Sequence, residues 1–477
     1  MSTLRGRHGR ASANTAQRRT AGAVRASLIL LVLVGALVLG FILVQSSPSL
    51  RKAAVLELAE IAGDVAEGYM VDSRPVEVVQ IGDVVYQATG IANTQLIPTS
   101  EGYVVFDTGL SIQGAKQKRL LEEAAGTAPI THIILSHSHQ DHVGGVSFWL
   151  EEGSEIVAHR EFSEEQRYLK ELEPYLWTRN RRLFPWMPEE PPSGGPLEFG
   201  KVVPTLTVSG EESLAFEEGG MRFEVIPTPG AEGADNLCLW LPDQKILLSG
   251  DFFGPIFPQF PNIFTMRGEK TRKPIEYIRS LDRLIALEPE IVIPSHLKPV
   301  HGRAEIKAAM TRMRDAVQYV HDATVEGMNA GKTVHELMEE IQLPPELELS
   351  QVHGRVSWGV KSIWEYYATW FHHDSTTELY PVPVRGLYRD IAELAGADAL
   401  LVRGQRYLAE GDAVEALHFS EIMLEGQPDS RGALGLRRDA LAELLERAQA
   451  THQNAFELGW LGSRLDETRA ALGESES

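Results

Sequence analysis

The run from Ser136 to Gly145 reads SHSHQDHVGG and packs His137, His139, Asp141 and His142 into one short turn. Imidazole and carboxylate together are ligands for Zn²⁺ or a similar divalent ion. On extended backbone, residues two apart point the same way, so His137 and His139 can reach one ion. Asp141 and His142 fall on the turn into a helix and can reach a second. Gly144 and Gly145 let the chain turn tightly there. Four ligands in one turn cannot close two sites, so more are expected at later strand ends. Glu232 in TPGAEGADN follows the run MRFEVI, with Asp235 as its understudy; Asp251 follows KILLSG; His296 follows EIVIPS. The sequence holds no G-x-S-x-G and no reactive-cysteine context, so no side-chain nucleophile is expected.

These ligands need strands and turns to carry them. From about Val76 the chain shows short β-like runs, VEVVQI, VVYQATGIANTQLIP and GYVVFDT, broken by Gly-Asp and Ser-Glu-Gly turn signals. The amphipathic run SIQGAKQKRLLEEAAG then precedes the apolar run ITHIIL, which leads into the histidine cluster. Strand–helix–strand alternation of this kind predicts an α/β layered domain. The segment 179–199 is rich in Pro, Gly and aromatics and reads as a long surface loop. A helix is expected from about Lys273 to Leu287. From about Arg303 the strands stop and helices run to the end, with the flavour of a tetratricopeptide unit but only about one and a half repeats.

The chain has 477 residues and a formal net charge of −21. Six arginines and no acid lie among the first 25, which leaves −27 on the rest. A body this acidic lacks the cationic surface that nucleic acid requires, so no nucleic-acid partner is expected. The single cysteine, Cys238 in NLCLWL, excludes an internal disulfide and reads as a small core side chain. Ala26 to Val44 holds no charge and, as a helix, spans roughly 28 Å, near the thickness of a bilayer core. Arginines before it place the N-terminus in the cytoplasm and the catalytic body on the periplasmic side. A cleaved signal peptide, giving a secreted protein, is the rival reading.

The motifs SHSHQDHVGG, FDTGL, TPGAEG, SGD and PSH, in that order, resemble those of the metallo-β-lactamase fold. Within that superfamily the chain is most similar to the alkyl sulfatases. GIANTQLIPTSEGYVVFDTGL resembles their opening strands, and TPGAEG has a glutamate near where most of the superfamily has a histidine. NIFTMRG resembles their N-[LI]-x-T-[LM]-R-G segment. SIWEYYATWFHHDSTTELYP resembles the segment that opens their dimerisation region. The resemblance runs from about residue 78 to about 472. It implies a four-layer αββα sandwich over 76–302 and an all-α dimerisation domain over 303–472. Ahead of these the sequence predicts a basic tail (1–25), a transmembrane helix (26–44) and a linker with a short helix (45–75).

Carried over residue by residue, the resemblance implies two Zn²⁺ ions. His137, His139 and Glu232 would hold one, Asp141, His142 and His296 the other, and Asp251 would bridge them. Asn262 and Arg267 would grip a sulfate, since a planar guanidinium bonds two oxygens of an oxyanion at once. Aromatics such as Trp177, Phe184 and Trp186 would line the organic side. The implied reaction is hydrolysis of a small anionic sulfate ester by a hydroxide shared between the ions. A homodimer through the helical domain is implied as well. Three departures stand out: Asp251 replaces a Glu, HLKP replaces His-His-Trp-Pro, and the family's sterol-carrier-like domain is expected to be missing. Two other readings stay open here. The same fold and metals could act on a lactone, thioester or phosphodiester, or the chain could be a non-catalytic membrane-tethered scaffold.

Overall fold

The computed structural model describes residues 48–67, 75–185, 187–191, 202–210, 212–263, 265–296 and 298–474. The chain divides into two units, Met1–Ala62 and Gly63–Ser477. Of the first unit only residues 48–62 are described, within the helix Pro48–Glu67. Among the described residues no helix is long and apolar enough to cross a membrane. This overturns the transmembrane helix expected as part of the fold. Glu57, Glu60 and Asp64 interrupt the one helix near that end, and a charge in the bilayer core is costly. The basic tail 1–25 and the apolar run 26–44 lie outside the described residues.

In the second unit the short runs pair into two sheets. The first takes β1 (Val78–Ile81), β2 (Val85–Ala88), β3 (Thr94–Pro98), β4 (Tyr103–Phe106), β5 (Ile130–Ile134), β6 (Glu155–His159) and β7 (Leu206–Val208), in that order. Its last four strands are parallel. The second takes β8 (Leu214–Glu218), β9 (Met221–Pro227), β10 (Leu237–Leu241), β11 (Ile246–Gly250), β12 (Ile291–Pro294) and β13 (Val300–His301). Its order is β13-β12-β11-β10-β9-β8, with β11 and β12 parallel.

Side-chain alternation explains the layering. In β10, Leu237, Leu239 and Leu241 join Ile97, Phe106, Ile134 and Val157 of the first sheet in one core between the sheets. Cys238 and Trp240 point the other way, into a core with Tyr277 and Leu281 of the helix Pro274–Ala286. On the far side, Val105 and Ile133 pack with Leu121 of the helix Ser111–Ala125 and with Trp149. The result is the expected αββα sandwich followed by helices. The helices Arg303–Asn329 and Val356–Ala368 enter the same core as Trp240, through Met310, Val317, Val360 and Ile363. A separate core, in which Ala413, Ala416, Ala433 and Ala440 pack with Met423 and Leu436, holds the later helices Ala413–Gly426 and Arg431–Ala450 together.

The expected loop over 179–199 begins inside a helix, Glu173–Asn180. Trp177 donates its indole N–H to the Pro188 carbonyl at 3.0 Å, and the Phe184 ring meets Phe456 edge-on, with centroids 5.9 Å apart. Both aromatics have packing partners of their own, and Trp186 lies outside the described residues.

Burial pushes the Cys238 thiol up to about 12. At pH 8 only about one thiol in ten thousand is then thiolate. Native protein treated with iodoacetamide at pH 8 is expected to stay unlabelled, with full labelling in denaturant. Stoichiometric native labelling would contradict the buried placement.

Candidate metal centre

The strands β4, β5, β9, β11 and β12 all end on one edge of the sandwich, and each delivers its next residues there. Two backbone bonds stitch the sheets together at this edge. Leu237 N–H donates to the Ser136 carbonyl at 2.8 Å, and Asn93 N–H to the Ser295 carbonyl at 2.7 Å. Gly250, with φ +56°, sits so close to Ser136 that an added Cβ would lie 2.5 Å from the serine Cβ. Only glycine fits there, one residue before Asp251.

The seven residues singled out as metal ligands converge. His137, His139 and Glu232 offer ligand atoms within 4.8 Å of one another; so do Asp141, His142 and His296, and so do His137, His142 and Asp251. Asp251 Oδ2 lies 3.1 Å from His296 Nε2 and 3.5 Å from His142 Nε2. Asp141 Oδ2 is 3.5 Å from both nitrogens. Glu232 Oε1 is 3.5 Å from His139 Nδ1, which faces His137 Nε2 at 2.8 Å. Asp235 is elsewhere: its Oδ2 accepts the Ser138 N–H at 2.9 Å and steadies the turn. Burial, then the nearby Glu165 charge, pushes the Asp235 carboxyl up to about 6.

The outward ring nitrogens fix how each imidazole is turned. His137 Nδ1 donates to Ser136 Oγ at 2.9 Å, His142 Nδ1 to Asp107 Oδ2 at 2.8 Å, and His296 Nδ1 to the Ile91 carbonyl at 2.6 Å. Their Nε2 atoms therefore face the centre. Burial, together with neighbouring His142 and His139, holds His137 well below the usual imidazole range. For His142 burial acts the same way, but the carboxylates of Asp141, Asp251 and Asp107 outweigh it and raise the group well above that range. The same carboxylates also meet the imidazoles' demand for charge: Asp251 is held well below its ordinary value, with His296 and His142 outweighing its burial.

The residues fit a divalent ion. His142 Nε2 and Asp251 Oδ1 are buried and have no hydrogen-bond partner among the described residues. Orphaned buried polar atoms at the meeting point of these carboxylate and imidazole arms are costly unless a bound ion serves them.

Of the anion-gripping pair, Arg267 reaches the centre, and Asn262 is linked to it through Arg272. Arg267 Nη2 is 2.6 Å from Glu232 Oε1, and its Nε is 3.0 Å from Glu269 Oε1. Asn262 is 4% exposed, and its Nδ2 has no partner among the described residues. Its carbonyl accepts from Arg272 Nη1.

Four neighbours escaped the sequence reading. Asp107 is fully buried; it takes Ser136 N–H on Oδ1, and Ser136 Oγ and Ser295 Oγ on Oδ2, each at 2.8 Å. Its motif FDTGL was visible, but nothing local marks the carboxylate as a hub. Glu269 and Arg272 follow Arg267 in a charged stretch that looks solvated. His353 comes from the helical region; burial, then Arg267 and Arg272, pushes it down to about 3, and its Nδ1 has no partner among the described residues. Asn454 Nδ2 holds its carbonyl at 3.1 Å.

Removing the Asp107 charge frees His142 and both serines. Asp107→Asn is expected to weaken divalent-metal binding roughly 10- to 100-fold, as read by competition with a chromophoric chelator. Wild-type affinity in that variant would remove Asp107 from its role.

Two domain families and several known sulfatases are similar to this chain. Residues 89–296 match the profile described as the metallo-beta-lactamase superfamily, and residues 333–461 match that of alkyl sulfatase dimerisation. A linear primary-alkylsulfatase of a Pseudomonas species is 29% identical over 76% of this chain and 72% of its own length. An alkyl/aryl-sulfatase of Saccharomyces cerevisiae is 24% identical over 80% of this chain and 62% of its own. This chain thus spans 62 to 72% of the length of these two relatives. The solved structure of a stereoselective inverting sec-alkylsulfatase from a Pseudomonas species superposes with TM-score 0.70 at 22% identity, covering 83% of this chain and 65% of that one. That likeness shows a shared fold. Residues 89–296 thus carry a metallo-beta-lactamase domain, and residues 333–461 an alkyl sulfatase dimerisation domain behind it.

Proposed function

We propose that this hydrolase cleaves sulfate esters of small alcohols at a centre of two zinc ions. The observation that supports this reading best is the convergence of seven ligand side chains beside a guanidinium. The curated relatives with alkylsulfatase activity point the same way. When bound, the ions supply charge that offsets the ester's own, and they make a water acidic enough to serve as nucleophile near neutral pH.

His137, His139 and Glu232 would hold one ion, Asp141, His142 and His296 the other, with Asp251 between them. Arg267 and the Asn262 amide would orient the sulfate, the first by charge and paired N–H groups, the second by its free Nδ2–H. His353, neutral across the physiological range, would add a polar wall without a competing charge. A homodimer is proposed from the dimerisation domain. The stretch from Trp370 to Leu394 supports it, since Trp370 is 70% and Leu394 90% exposed in this chain alone. That the body lies outside the cytoplasm is a proposal resting on the arginine-led run before residue 45.

A panel of alkyl and aryl sulfates, phosphate esters, lactones and thioesters, run with and without chelator, tests the reading. Sulfate esters are expected to turn over and chelator to abolish it. A protein that opens lactones and ignores every sulfate would overturn the assignment. Arg267→Ala is expected to lower kcat/KM for a sulfate ester by about 10²-fold or more, the loss typical of a missing oxyanion donor. Its metal content should hold within twofold. Equal loss of metal and activity would count against the anion-gripping role.

A further inference from the structure

Three of the four imidazoles at the centre have an outward nitrogen anchored by an oxygen: Ser136 Oγ, Asp107 Oδ2 and the Ile91 carbonyl. The fourth, His139, is turned the other way, with Nδ1 inward. Its outward Nε2 faces Glu269 Oε1 at 3.5 Å. The same carboxylate meets both arginines of the site. Oε1 is 3.0 Å from Arg267 Nε, and Oε2 is 3.2 Å from Arg267 Nη2 and 3.4 Å from Arg272 Nη2. Those two guanidinium groups also converge on Glu232 Oε1, at 2.6 and 2.8 Å. Two acids and two bases therefore form one compact network whose charges cancel. The side chains of Glu269 and Glu232 are 10% and 4% exposed, so solvent does little of the balancing.

We propose that Glu269 is a positioning residue for the ion held by His137, His139 and Glu232. It does two things at once. It gives His139 the outward partner that the other three imidazoles already have, which sets the ring with Nδ1 toward the ion. It also shares the two guanidinium charges with Glu232. Without it both would fall on Glu232 Oε1, and the carboxylate would give up less electron density to a cation. Among the described residues, Asp141, His142 and His296 form no hydrogen bond or ion pair with Glu269, so their position is left alone. This inference rests on the two-ion reading above.

The test compares zinc-loaded wild-type protein with Glu269→Gln, by competition with a chromophoric zinc chelator. Two ions per chain are expected to leave wild type at separable chelator concentrations. In Glu269→Gln one of the two is expected to dissociate with Kd raised about 10- to 100-fold, the usual cost of losing an outer partner. The other ion should keep its wild-type Kd. Glu269→Asp restores the charge on a shorter arm and is expected to fall between the two; it also carries the test if the Gln variant fails to fold. Wild-type retention of both ions in Glu269→Gln would overturn the proposal. So would equal weakening of both ions, or equal losses in the Gln and Asp variants. Wild-type protein that takes up no zinc at all would instead overturn the two-ion reading itself.

Discussion

The centre depends on one buried carboxylate. Asp107 stands at the end of β4 with φ +53°, a conformation that a residue with a Cβ adopts only when its surroundings insist. What insists is its set of hydrogen bonds. They come from the ends of β5 and β12 and from the helical turn that carries His142. A carboxylate in a dry site must collect such donors or be expelled. Here each donor belongs to a segment bearing a ligand: Ser136 precedes His137, Ser295 precedes His296, and His142 is a ligand itself. Satisfying one buried charge thereby brings three distant pieces of chain into register.

The parts legible in the sequence were those whose chemistry is local. H-x-H-x-D-H announces itself, because the ligands lie on one turn and no structural demand explains so many imidazoles. Glu232, Asp251 and His296 were legible at one remove, since each follows an apolar run and strand ends are where such folds place their polar groups. Asp107, Glu269, Arg272 and His353 were not, because their roles are set by partners far along the chain. Glu269 in RGEKTRK has the look of a solvated charge; only the fold puts His139 against it. His353 reaches the centre from a region that reads as plain helix. The aromatics Trp177 and Phe184 have partners that the sequence does not show. Their types suggested a binding wall, whereas an indole bond to Pro188 and a ring contact with Phe456 occupy them.

Charge is distributed with a purpose that the net figure hides. The chain carries −21 overall, yet the interior of the centre is close to balanced. Glu232 and Glu269 are matched by Arg267 and Arg272, and the remaining acids, Asp141, Asp251 and Asp107, face imidazoles. Such a site accepts cations readily while keeping a guanidinium at its rim for an anion. Each guanidinium there meets both carboxylates and each carboxylate both guanidinium groups, so the effects of substitutions within this cluster are not expected to add.

The helices Arg303–Asn329 and Val356–Ala368 contribute side chains to the same core as β10, β11 and β12. Asn454, at the start of the final helix, caps that helix and also holds the loop bearing His353. A descendant that shed its rear half would bare the oily flank of its own sandwich and loosen the loop that leans on the reactive pocket. Sandwich and helices thus share one apolar interior, and parting them would expose it on both sides.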